Sequence, residues 1–267
     1  MFSFDYHIHT NNSFDSKAEM MHTCETAVLR YLKEICFTEH FSLNPKAPTF
    51  GYMNWKKYQK NIDTNRKKYS QFLIIKKGLE ICEPHLFSNE YKNELADKNL
   101  DFILGSVHNV NNVKLRTLLK RSGKKKGYCA YFQEMLKMIQ HADIDILSHF
   151  DLVKRYSNEP FSNADFTSYY QIIREILKIS IERKIGIEIN TSTFEKLHET
   201  MPSTNILCLY KELGGTLLTI GSDSHTSDKI GNHVDLAKTL AIKCGFNSFT
   251  VYAHRVPCQI TFDNLTA

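Results

Sequence analysis

The feature that most constrains this chain is an alternation. Seven short apolar runs, "FSFDYHIH", "EICFTEH", "FLIIKKGLE", "LDFILGSVH", "DIDILSH", "KIGIEINTS" and "GTLLTIGSDSH", are separated by segments with amphipathic helical spacing. These segments include "AEMMHTCETAVLRYLKE", "YFQEMLKMIQHA", "FTSYYQIIREILKISIERK" and "GNHVDLAKTLAIKCG", and "SFTVYAHR" offers an eighth strand-like run. Strands that alternate with helices make a parallel sheet, because each return to the starting edge needs a crossover. Seven or eight such units predict an α/β fold closed into a barrel, for which 267 residues are sufficient. No repeat, low-complexity tract or Pro/Gly/Ser-rich linker divides the sequence, so one domain over residues 1–267 is expected.

The ends of these runs carry the chemistry. The first ends in His7 and His9, the second in Glu39 and His40, the third in Glu80, the fourth in His108, the fifth in His149 and the seventh in Asp223 and His225. Six of the twelve histidines terminate an expected strand. Residues two apart in an extended chain point to one face, so the imidazoles of "HIH" project together, and "GSDSH" repeats that spacing with an acid first. In a β/α barrel the C-terminal strand ends converge on the face where active sites form. Imidazoles and carboxylates gathered there suit zinc, iron or manganese, and the donor types alone do not choose among them.

Composition narrows the alternatives. The seven cysteines are spread out and never form a CxxC pair, which argues against a disulfide framework or thiolate zinc site and predicts reduced, mostly buried residues. The formal charge of +5 is local: "NNVKLRTLLKRSGKKKG" holds seven basic residues between Lys114 and Lys126 and no acid, leaving the remainder slightly acidic. That run is read as a solvated loop, or one that draws phosphate toward a site. No signal peptide or apolar run long enough to span a bilayer is found, so a cytoplasmic protein without a membrane partner is expected.

The sequence resembles the polymerase and histidinol phosphatase (PHP) superfamily, and within it the stand-alone histidinol-phosphate phosphatases. The resemblance runs through "DYHIHT", "FTEH", "GLE", "GSVH", "LSHFDL", "NTS" and "GSDSH" in order, covering essentially the whole chain. It implies a distorted (β/α)7 TIM-like barrel with three divalent metal ions in a cleft. Carried over residue by residue, the first ion would take His7, His9, Glu80 and Asp223, and the second Glu80, His108 and His149, with Glu80 bridging. The third would take Asp15, His40 and His225. Many superfamily members have histidine where this chain has Asp15.

The implied reaction is hydrolysis of the phosphomonoester L-histidinol phosphate to L-histidinol and inorganic phosphate, a step of histidine biosynthesis. Divalent ions make bound water acidic and stabilise attacking and leaving oxygens, and Asp223 is placed to orient water or move a proton. Phosphate also calls for guanidinium donors: Arg155 and Arg116, following the fifth and fourth strand ends, are the candidate clamp, and His198 is a further donor. Asn44, Tyr52 and Trp55 are candidate wall residues. The expected partner is a small-molecule phosphate monoester rather than nucleic acid. Two other readings stay open: a PHP phosphoesterase of nucleotides or nucleic-acid ends, and a non-catalytic, metal-stabilised interaction barrel.

Overall fold

The computed structural model describes residues 3–262; Phe2, in the first expected strand, lies outside the described residues. The strands are β1 (Phe4–Ile8), β2 (Glu34–Phe41), β3 (Ile74–Cys82), β4 (Phe102–Ser106), β5 (Asn109–Val110), β6 (Val113–Lys114), β7 (Ile146–Leu147), β8 (Gly186–Asn190), β9 (Leu218–Gly221), β10 (Ser248–Ala253) and β11 (Val256–Thr261). Seven of them form one sheet in the order β1-β2-β3-β4-β7-β8-β9, and each neighbouring pair is parallel. A parallel bridge between Ile8 and Ser224, with His9 N donating to Ser224 O at 2.9 Å, brings the first edge to the last. The result is the expected seven-unit barrel, nearly closed. No helix among the described residues is long and apolar enough to cross a membrane.

The barrel strands are buried along nearly their whole length, as a barrel requires when crossover helices cover its outer face and side chains fill its interior. One contiguous apolar core includes Phe4, Tyr6, Phe37, Phe102, Ile146, Ile187 and Leu218. The fifth barrel strand is only Ile146–Leu147. Its partners bracket it all the same, because Asp145 N donates to Ile103 O and Gly186 N to Asp145 O.

Three expectations are corrected. The eighth run does not join the barrel: β10 pairs antiparallel with β11 through His254 and Arg255, both at positive φ, the conformation of a two-residue hairpin turn. This hairpin plugs the N-terminal end of the barrel, with Phe249 against Phe4 and Tyr252 against Phe102. The basic run is not a loop. Val113–Lys114 edges a two-strand hairpin and Leu115–His141 is helical, broken only at Gly123 (φ 72°). Leu115, Leu118 and Leu119 give that segment an apolar face on the core, and Lys124 pairs with Glu159 and Asp165 at 2.9 and 3.0 Å. Finally, Cys208 and Cys244 are joined as a disulfide, and of the free cysteines Cys129 and Cys258 are exposed. Helix packing brings residues 36 apart together, which a search for local cysteine pairs cannot detect.

Candidate metal centre and active site

The C-terminal strand ends gather the expected ligands into one cluster. His7 lies in β1 and His9 just past it, His40 and Glu80 are in β2 and β3, and His108, His149, Asp223 and His225 follow β4, β7 and β9. Glu80 is at the centre, almost wholly buried. Its Oε2 is 3.2 Å from His7 Nε2 and 3.4 Å from His9 Nε2, and its Oε1 is 2.8 Å from His149 Nε2 and 3.5 Å from His108 Nε2. One carboxylate thus faces two groups of imidazoles. Asp223 Oδ1 completes the first group, 3.6 Å from His7 Nε2 and 3.5 Å from His9 Nε2. On the open side Asp15 Oδ2 is 3.3 Å from His40 Nε2 and 3.4 Å from His225 Nε2.

These positions fit divalent ions. Donors bound tetrahedrally at about 2.1 Å lie about 3.4 Å from one another, close to the spacings around His7, His9, Glu80 and Asp223. Among the described residues His9 Nε2 is buried with no hydrogen-bond partner, and such an orphan asks for an explanation that a cation supplies. Three of the histidines are held from behind through the other ring nitrogen: His7 Nδ1 by Glu188 at 2.7 Å, His9 Nδ1 by Ser13 Oγ at 3.2 Å and His225 Nδ1 by the Asp223 carbonyl at 3.0 Å. Holding one nitrogen fixes the tautomer and frees the other to ligate.

The electrostatics follow from this crowding. Burial would depress His7 and His40, but the carboxylates around them raise both well above the usual histidine range: Glu188, Asp223 and Glu80 for His7, Glu80 and Asp15 for His40. Burial, with neighbouring His149 and His40, pushes His108 down to about 3 against the pull of Glu80. Burial opposes ionisation of Glu80 and Asp223, yet the surrounding cations hold both well below the carboxylate range. Asp15 is likewise lowered, by His225 and His40 against burial.

The cluster forms the floor of a cavity of about 450 Å³, a size suited to a small ligand. Asp15, His40, Glu80, His108, Asp223 and His225 line one end. Arg155 enters from the wall, its Nη2 donating to Asp223 Oδ2 at 2.9 Å and to Ser192 Oγ at 2.5 Å. Arg116 lines the same cavity, its guanidinium 5.9 Å from the Tyr156 ring centroid. His198 is not brought in: it is exposed at the end of the short helix Phe194–Leu197 and absent from the cavity lining. Nor do Asn44, Tyr52 and Trp55 line it. Asn44 bonds Asn112, Tyr52 is exposed and Trp55 packs on Phe41, while Ala47, Pro48 and Thr49 of that loop form the wall.

Sequence reasoning missed the carboxylates beneath the cluster. Glu39, noted only as a strand end, accepts from Thr10 N and Ser13 Oγ and so shapes the loop leading to Asp15. Glu83, at positive φ, accepts from the amides of His108 and Asn109 at 2.6 and 2.7 Å. Asp5 accepts from Ser222 N and Gly231 N, anchoring the turn before Asp223. Glu188 accepts from His7 and from the amide of His149. The available signal was an acid inside a run that is otherwise buried strand, as in "GIEIN". Cys82, free and buried as expected of the cysteines, lines the cavity with Sγ 3.3 Å from His108 Nδ1.

Comparison with known proteins agrees with this geometry. The chain is 34% identical over 247 residues to a probable histidinol-phosphatase of Clostridium acetobutylicum, covering 90% of this chain and 93% of the relative. It is 26% identical over 253 residues to the histidinol-phosphatase of Lactococcus lactis subsp. lactis, covering 93% and 94%. The crystal structure of histidinol phosphate phosphatase from Lactococcus lactis subsp. lactis, complexed with zinc, L-histidinol and phosphate, superposes with a TM-score of 0.86 at 25% identity over 96% of this chain and 98% of that one. The PHP domain model matches residues 5–192, from the strand that carries His7 to the segment that carries Glu188, and the chain therefore belongs to the PHP domain family.

Proposed function

We propose that this protein is a metal-dependent histidinol-phosphatase, hydrolysing L-histidinol phosphate to L-histidinol and inorganic phosphate in the cytoplasm as one phosphoesterase domain over residues 1–267. The observation that carries this reading is the Glu80-centred cluster on the floor of a small-molecule cavity, together with likeness over nearly the full chain to a phosphatase whose structure holds zinc, histidinol and phosphate. Three ion positions are proposed: His7, His9, Glu80 and Asp223; Glu80, His108 and His149; and Asp15, His40 and His225. When bound, divalent ions such as zinc, iron or manganese supply acidified water and Lewis-acid stabilisation of phosphoryl oxygens.

The chain's own groups complete the task. Arg155 presents a guanidinium at the cluster's edge, tethered to Asp223 and Ser192, so it meets phosphate already oriented. Arg116 offers a second guanidinium from the wall; among the described residues it has no acid partner, so its charge is free for phosphate. Asp223, kept ionised by its neighbours, accepts hydrogen bonds and orients the attacking water. Phe14, Pro48, Leu115 and Tyr156 form an apolar flank for the organic part of the substrate. Of the basic run, Lys114 and Arg116 line the cavity and Lys124 is paired with Glu159 and Asp165, which supports a role for its near end in holding a small-molecule phosphate.

A substrate panel tests the proposal. Purified, metal-loaded protein should release phosphate from histidinol phosphate at least about 10²-fold faster, by kcat/KM, than from nucleoside monophosphates, and should leave single-stranded DNA intact, the margin expected of a site that recognises polar groups. A preference for nucleotides or DNA ends would replace this reading, and no hydrolysis of any substrate would favour the non-catalytic barrel.

A further inference from the structure

We infer that Glu188 is a positioning residue that locks one ligand of each of two neighbouring ion positions, so that removing its charge weakens both positions together while sparing the third. The inference rests on the metal reading above and concerns a residue that does not itself face the cavity.

Glu188 is buried in β8, beneath the cluster. Its two oxygens have different partners. Oε1 is 2.7 Å from His7 Nδ1, whereas Oε2 accepts from the backbone amide of His149 at 2.8 Å and from Asn190 Nδ2 at 3.2 Å. Above the same two residues, Glu80 faces His7 Nε2 with Oε2 and His149 Nε2 with Oε1. Two carboxylates therefore hold one pair of histidines, Glu80 on the donor side and Glu188 from behind. Accepting from His7 Nδ1–H fixes the tautomer that turns Nε2 toward an ion.

Two further observations show that the fold is built around this carboxylate. His149 has a positive φ of 21°, a sparsely populated conformation for a residue with a side chain, and the bond from its amide to Glu188 offsets that cost. On β9, Gly221 leaves the space the carboxylate fills: a Cβ there would lie 2.1 Å from Glu188 Oε1 and 2.3 Å from His7 Cβ. Among the described residues no lysine or arginine pairs with Glu188; its one ionic partner is His7. Its charge serves the cluster alone.

The experiment is Glu188→Gln, probed with Mn2+ alone. The near-isosteric amide carries no charge and has one acceptor oxygen for two donors, so neither His7 Nδ1–H nor the His149 amide keeps a carboxylate partner. The metal-free variant should keep its circular dichroism. Its Mn2+ titration, followed by electron paramagnetic resonance, should show the spin-coupled pair appearing only at about 10- to 100-fold higher free Mn2+, with uptake at the Asp15 position unchanged. Wild-type affinity at all positions, or weakening at only one of the two, overturns the inference. If Glu188→Gln does not fold, Glu188→Asp keeps the charge but is too short to span both partners. It should weaken at least one of the two positions by a similar factor, and wild-type affinities in that variant again overturn the inference. Failure of the underlying metal reading looks different, because the wild-type chain would then take up no Mn2+.

Discussion

Glu80 concentrates the chemistry in one side chain. Each of its oxygens faces a different set of imidazoles, so Glu80→Gln removes charge from two ion positions at once. Metal content should fall and turnover should drop by about 10³-fold or more, with the far-ultraviolet dichroism of the barrel retained; full activity and full metal content would remove Glu80 from the centre. Asp15 is a narrower case, since among the described residues its carboxylate pairs with His40 and His225 alone. Asp15→Ala should release one ion and slow hydrolysis by about 10²-fold, while Asp15→His, which restores a donor, should keep the ion; metal counts on both variants decide between ligand and turn residue. The raised histidines add a pH dependence. Because His7 and His40 titrate well above their ordinary 6.5 in the metal-free fold, their protonated forms stabilise that fold fully below 6.5, and the contribution is lost as pH rises through the raised values. Ions compete with those protons. From pH 6.5 upward, metal-free melting temperature should therefore fall while metal affinity rises, and melts with and without metal across that range will show whether the two trends oppose.

Ligands were legible at the level of elements because strand ends are marked twice, by an apolar run and by the polar residue that closes it. His7, His108 and His149 needed no tertiary information to be placed on one face. Their supports did: Glu188 and Glu83 contact ligands on other strands, and nothing in "GIEIN" or "CEP" encodes that contact locally. The β10–β11 hairpin was hidden for a related reason, since "HR" lacks the Asn-Gly signature of such turns although both residues adopt positive φ. The basic helix was hidden because charge masked the leucine spacing beneath it. At this scale Gly221 gives a prediction. A methyl group at the end of β9 has to displace either the Glu188 carboxylate or His7, so Gly221→Ala should cost about 1–3 kcal/mol of stability and reduce metal uptake; a variant with wild-type melting and metal content would show that the strand end yields easily.

Across the whole molecule, the barrel carries an apolar plug at one end and the charged cluster at the other. The aromatic plug of Phe4, Phe102, Phe249 and Tyr252 closes the N-terminal side, the apolar core fills the barrel between, and the charged cluster sits at the C-terminal strand ends. Such separation means that the core does not depend on metal for its packing. Each bound ion should add about 2.7 kcal/mol when free metal is a hundred times its dissociation constant, so the metal-free chain stays folded but melts earlier. The decisive measurement follows from that separation: strip the protein with a chelator, verify by dichroism that it remains folded, and measure phosphate release from L-histidinol phosphate as Zn2+ or Mn2+ is returned in counted equivalents. The expected result is no turnover in the folded, metal-free chain and recovery as the ion positions fill. Turnover that persists in the verified metal-free protein would contradict the assignment of this cluster as the catalytic centre.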